Sequence, residues 1–304
     1  MQRIKFNSVI QFLKQLKWFV GATLAILTLL LIKIFAFDLV KVNANDMQPN
    51  YYFGDVLLVN KFATTFKHGD CVWFKVPLTD SDAVSVHSMQ RLLGLPGDTL
   101  FISEKKLFIN GILTEDSVPI KKNYILKTKK VELDSAQFLA LKILEYQKIS
   151  DFYDYGLSLE GWQIDSIKRK PWFDKLEEKV EKRYNYDEAC YPYSDYFLWN
   201  MDNYGPVYIP RKNDSIQLNE STLVLYKTVI EHHEKNKLEL RNDSVFINDA
   251  YKTFYTFKQN YFFTISDNRD NCVDSRMWGF LPKSCLIGRV IKLVKKVNYT
   301  LLLV

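Results

Sequence analysis

The chain has 304 residues, 47% of them hydrophobic and 15% aromatic. That supports a substantial core and excludes a disordered protein. The formal charge of +6 would suit nucleic acid, but Arg3, Lys5, Lys14, Lys17, Lys33 and Lys41 face only Asp38 within the first 41 residues. The excess therefore sits beside an apolar run, which points to a lipid bilayer and away from nucleic acid.

Residues 1–17 read as a basic cytoplasmic N-terminus. Residues 18–37 are apolar apart from Lys33. Twenty helical residues reach about 30 Å, the hydrocarbon thickness of a bilayer. Lys33 lies near one end, where its ammonium can snorkel to the interface. The expectation is one uncleaved transmembrane anchor, with the rest of the chain on the far side of the membrane. A cleaved signal peptide is the rival reading. The run is long for that, and no good small-x-small cleavage site follows it.

Residues 38–116 read as antiparallel β structure. Strands are expected at 56–59 and 71–76, each after a Gly-Asp turn, and at 83–91. Alternation in the last puts Val86, Ser88 and Gln90 on one face and His87, Met89 and Arg91 on the other. A hairpin is expected over 99–111, turning near Glu104 and Lys105. The stretch 117–257 reads as an inserted α+β domain. Helices are expected at 133–146, capped by Asp134 or Ser135; at 171–184, after Pro171 and with Glu178 and Lys182 one turn apart; and at 219–234, capped by Asn219. The run 223–226 also allows a strand. Strands are expected at 207–210 and 238–247. Strand-rich sequence resumes at 253–265 and continues to 297, so 258–304 completes the β domain. The fold class is mainly β with an α+β insertion.

Cys71, Cys190, Cys272 and Cys285 form no CxxC pair and no zinc-like spacing, so neither a metal nor another cofactor is expected. A disulfide would need two of the four, and the sequence does not choose the pair; buried free thiols are the equal alternative. His232 and His233 are adjacent, point about 100° apart on a helix, and cannot converge on a metal.

Three blocks carry chemistry. The first is Asp46-Met47-Gln48-Pro49, followed by Gly54-Asp55-Val56-Leu57-Leu58-Val59-Asn60-Lys61-Phe62. The second is Gln90-Arg91-Leu92-Leu93-Gly94-Leu95-Pro96-Gly97-Asp98. The third runs from Ser266 to Pro282 and contains Asp267-Asn268-Arg269-Asp270-Asn271 and Asp274-Ser275-Arg276. In this order, behind an apolar anchor, they resemble the type I signal peptidase family over roughly 15–116 and 250–292. The stretch 199–210 resembles the insertion of its long forms. The resemblance implies a coiled β-sheet or barrel domain behind one transmembrane helix, on the periplasmic side of the inner membrane, acting on signal peptides.

It also implies a serine nucleophile and a neutral lysine base, because a hydroxyl attacks an amide only if a neighbour takes its proton. The matching positions here are Asp46 and Gln90. The oxyanion-supporting serine matches Ala44, and the serine that supports the lysine matches Cys272. An amide has no titratable base near neutral pH. A carboxylate at position 46 would repel a developing oxyanion. Ser88 and Cys272 are weak candidates for a replacement nucleophile. Asp46 and Gln90 are instead expected to hydrogen-bond as a structural pair, and Arg91, Asp267, Asp274 and Arg276 to form a structural ion network.

What would survive is a peptide groove near Asn45, Met47, Pro49 and Ser88, since strand addition needs backbone groups and no nucleophile. The leading expectation is an inactive signal-peptidase-like subunit that binds a protein of the secretion machinery, or holds signal peptides. Two alternatives stay open: a working signal peptidase with non-standard residues, and a plain anchored scaffold.

Overall fold

The computed structural model describes residues 17–31, 35–76, 86–150, 153–242 and 244–297. Residues 17–31 are helical and exposed throughout. Among the described residues no helix is long and apolar enough to cross a membrane. Residues 1–16 and 32–34, which belong to the expected basic segment and anchor, lie outside the described residues. So do 83–85 of the expected third strand.

The main sheet has seven strands, all antiparallel. Their order is Phe37–Lys41, Val56–Asn60, Leu286–Lys295, Cys71–Lys75, His87–Gly94, Tyr261–Ile265 and Leu281–Pro282. In Val56–Asn60 burial alternates, with Leu57 and Val59 facing inward, as one covered face requires. The strand Leu286–Lys295 can insert beside Val56–Asn60 because Gly288 lacks a side chain: a Cβ there would lie 2.5 Å from the Asn60 carbonyl. In His87–Gly94 every residue from Met89 on is buried, so alternation fails as a guide there. The loop after Ile265 covers one face, and Arg91 is drawn into an ion pair beneath it.

The hairpin Thr99–Ser103 and Lys106–Ile109 turns at Glu104 and Lys105, both with positive φ. It continues a smaller sheet with Tyr204–Tyr208 and Ile112–Thr114. A third sheet, ordered Phe173–Glu178, Lys121–Thr128, Asp154–Glu160, Tyr146–Lys148, has its own core of Leu126, Phe138, Tyr155, Leu157 and Ile167. Residues 191–257 instead share the large core of the main sheet, where Tyr204, Tyr226 and Val229 meet Phe257, Tyr261 and Phe263. The stretch 117–257 therefore packs as two parts.

Three helix expectations meet different outcomes. Asn219 caps Glu220–Thr228, accepting from Thr222 N, and the helix widens into a π-type turn over Val229–His233. Asp134 caps with a full capping box, but the helix is only Ser135–Ala140; Lys142 turns left-handed and Tyr146 enters a strand. The expected helix 171–184 is wrong. Phe173–Glu178 is a strand paired with Lys121–Thr128, with Phe173 and Leu176 against the third sheet's core. The helix Gly161–Lys168, closed by the capping box of Glu160 and Gln163, was not anticipated.

Candidate functional site

Two loops and two adjacent strands, His87–Gly94 and Tyr261–Ile265, meet at the site. The turn over residues 45–51 is closed by Gln48 N to Asn45 O and by Asn50 N and Tyr51 N to Met47 O. Met47 is 1% exposed and packs with Val42, Leu57, Cys71 and Met89. It anchors the turn from beneath, whereas Asn45 is exposed and Pro49 and Ser88 are half-buried. Ala44 is exposed and offers no side-chain donor. The second loop, residues 266–274, is stitched to this turn. Asn268 N donates to Asp46 O at 2.9 Å, and Asn50 Nδ2 donates to Asp267 Oδ2 at 2.8 Å.

Gln90 has no exposed surface. Its Oε1 accepts from Thr264 Oγ1 at 2.6 Å, and its Nε2 donates to Val273 O at 2.7 Å. Ser275 Oγ supports the same hydroxyl at 3.1 Å and accepts from Thr264 N at 3.0 Å. The expected Asp46–Gln90 hydrogen bond is not formed. The amide is committed across the sheet to Thr264 and down to the loop at Val273, which satisfies a buried polar group better than a bond to a half-exposed carboxyl. The sequence reading assigned neither Thr264 nor Val273 a role; the one signal for them was the third block, which contains Val273 and begins two residues after Thr264.

The four charged residues expected as a network form two local pairs. Arg91 binds Asp267 through two parallel bonds, Nε to Oδ1 at 2.7 Å and Nη2 to Oδ2 at 2.6 Å. This fork geometry is the strong form of the interaction. Arg276 binds both oxygens of Asp274, at 3.0 and 2.7 Å, and Asp274 also accepts from Ser266 N, Arg276 N and Cys272 Sγ. Burial alone would raise the Asp274 carboxyl, but Arg276 and these donors hold it below the usual carboxylate range. Asp46 is shifted the other way, raised first by burial and then by the charge of Asp274.

Cys272 Sγ lies 3.2 Å from Asp274 Oδ2 and 3.5 Å from Arg276 Nη2. A cation is thus beside this thiol, which the sequence reading did not foresee. Burial and Asp274 outweigh it and push the thiol well above its ordinary value. Cys272 therefore stays protonated and donates to Asp274, which makes it a poor nucleophile. All four cysteines are free.

The third sheet reaches into the site through Lys121. Its backbone brackets the loop: Lys121 N donates to Asp267 O, and Arg269 N donates to Lys121 O, both at 2.9 Å. Its buried ammonium donates to Gln48 Oε1 at 2.9 Å and to Glu145 Oε1 at 2.7 Å. No sequence signal pointed to Lys121, which lies in the insertion outside the three blocks. Chemically, the centre holds the carboxyls of Asp46, Asp267 and Asp274, the Gln90 amide, a neutral thiol and the hydroxyls of Thr264, Ser266 and Ser275. Its cations are all engaged by acceptors.

The sequence profile of the family described as signal peptidase, peptidase S26, matches residues 15–163 and 207–294. A signal peptidase I of Bacillus licheniformis is 36% identical over 98 residues, 31% of this chain and 50% of the relative. The chain thus spans about half the length of that relative. Signal peptidases I of two Buchnera aphidicola subspecies align more fully. The one from subsp. Acyrthosiphon pisum (strain APS) is 25% identical over 297 residues, 93% of this chain and 74% of the relative. The one from subsp. Schizaphis graminum (strain Sg) is 24% identical over 288 residues, 86% and 69%.

Proposed function

The chain belongs to the signal peptidase family, peptidase S26, and from that premise we propose a catalytically inactive member that acts as a membrane-anchored binding or scaffold subunit in protein secretion. Gln90 carries this reading. It stands where the family resemblance places the lysine base, and its amide is held at both ends by Thr264 and Val273. An amide cannot accept the proton that a hydroxyl nucleophile must lose. Asp46, at the nucleophile position, brings a carboxyl to the point where attack would build negative charge, and such charge needs donors. Arg91 and Arg276 do not serve as bases, because their guanidiniums stay protonated: burial alone would lower them, but their ion pairs with Asp267 and Asp274 outweigh it and raise them.

Residues 18–37 would anchor the protein, with 38–116 and 258–304 as the β domain and 117–257 as the insertion, outside the cytoplasmic face. Signal peptides are the natural ligand class of the groove beside Asn45 and Ser88, and a secretion protein the natural partner. A photo-crosslinking residue at Asn45 or Ser88, in the full chain within native membranes, tests this. Adducts with a signal peptide or a secretion component are expected. No adduct above that of a probe at exposed Ile112 would refute the groove.

One observation favours the alternative, cleavage by rebuilt chemistry. Asp46 and Asp274 are shifted in opposite directions, as an acid and base pair would be. Against it, five donors already occupy the two Asp274 oxygens, which leaves none free to orient an attacking water.

A further inference from the structure

A small cavity of about 20 Å³ lies behind the site loop, where the hairpin, the third sheet and residues 201–202 converge. Lys105, Lys122, Asp202, Arg269, Asp270 and Arg276 supply its polar lining. Most of these groups are already engaged. Lys105 Nζ lies 2.6 Å from Asp270 Oδ2, which also accepts from Asn123 N. Lys122 reaches Glu178 at 2.9 Å, and Arg276 reaches Asp274. Arg269 is 8% exposed and pairs through Nη2 with Asp116.

Two groups are left short. Arg269 Nε is buried and has no hydrogen-bond partner. Asp202 takes one good bond on Oδ2, from Glu181 N at 2.7 Å, while its Oδ1 has only Lys105 Nζ at 3.7 Å. A buried donor without an acceptor costs far more than a satisfied one contributes, so native structures fill such gaps with a partner or an ordered water.

We propose that this cavity is a binding site for one structural water molecule, which accepts from Arg269 Nε and donates to Asp202, and so closes the joint between the site loop and the two sheets behind it. Size and charge select that ligand. A cavity holds a water once it offers about 10–15 Å³ to a water-sized probe, provided two to four polar partners are present. An anion is disfavoured because, counting Asp116, Glu178 and Asp274, five carboxylates face the four lining cations. A cation is disfavoured because four cationic side chains line the wall. Water alone both accepts from the guanidinium and donates to the carboxylate.

The test is a crystal structure of the full chain at a resolution that shows ordered water, from crystals with and without a bromide soak, and of the variant Arg269→Lys. That variant keeps the charge toward Asp116 and removes Nε. The expected result is one peak within hydrogen-bond distance of Arg269 Nε, with no anomalous bromide signal, lost in Arg269→Lys. A bromide peak would make the site an anion site. A dry cavity, or a peak that persists in Arg269→Lys, would also overturn the assignment.

Discussion

Thr264 Oγ1 donates to Gln90 Oε1 at 2.6 Å across adjacent strands. With Nε2 pointed at Val273 O, the amide has one orientation and two purposes: it ties the strand His87–Gly94 to Tyr261–Ile265, and it holds the site loop down. Gln90 is thus a structural rivet between two strands and the loop.

Removing that amide should weaken the fold. Gln90→Leu leaves the Val273 carbonyl and one Thr264 interaction without their partner in a buried place. A loss of about 1–3 kcal/mol is expected, measured by denaturant unfolding of the full chain in detergent. A change near zero would mean that the amide contributes nothing to holding the loop.

The Arg91–Asp267 pair should be far more sensitive. Both side chains are buried, and losing one partner of such a pair costs about 3–5 kcal/mol because the other charge is left uncompensated. Arg91→Met alone should show that loss, and Arg91→Met with Asp267→Leu should recover part of it. Additive losses in the double variant would rule out the pair as a coupled unit.

Asp46 predicts a pH effect of definite sign. Its folded carboxyl is raised above the usual value, so the folded state binds its proton more tightly than the unfolded state. Its contribution is fully present below the unfolded value of 3.8 and is lost as pH rises through the folded one. Asp46→Asn should therefore be more stable than the parent at neutral pH, with the gap closing at acid pH. Asp274 has the opposite sign, since its lowered value makes its contribution present at neutral pH and lost on acidification. Parallel stability curves for Asp46→Asn and the parent across pH 3–7 would contradict the assignment.

Cys272 should be inert. Its thiol is raised by burial and by Asp274, so little thiolate forms at neutral pH. Alkylation of the folded protein, read by mass spectrometry, should label Cys272 only after unfolding. Rapid labelling at neutral pH would reopen it as a nucleophile.

Much of this was legible in the residues. The helix cap at Asn219, the turn at Glu104 and Lys105, and the strands around residues 56–60 and 71–75 follow from local chemistry, and the three motif blocks do meet, through Asn268 N to Asp46 O and Gln90 Nε2 to Val273 O. The strand Phe173–Glu178 was not legible. Pro171 and the Glu178–Lys182 spacing suit a helix, while the pairing that decides the matter comes from Lys121–Thr128, some fifty residues earlier; strand preference is largely such context. The Asp46–Gln90 pair failed for a related reason. Side-chain chemistry alone permits it, but only the fold puts the Val273 carbonyl and the Thr264 hydroxyl nearer to the amide. Lys121 shows the same limit, because an ammonium that binds Gln48 and Glu145 carries no motif.

The most direct measurement is a cleavage assay with the full chain in membranes and an exported precursor bearing its signal peptide. The account predicts that the precursor stays intact however long the incubation. Cleavage at the signal-peptide junction, abolished by Asp46→Asn or by Cys272→Ala, would contradict it.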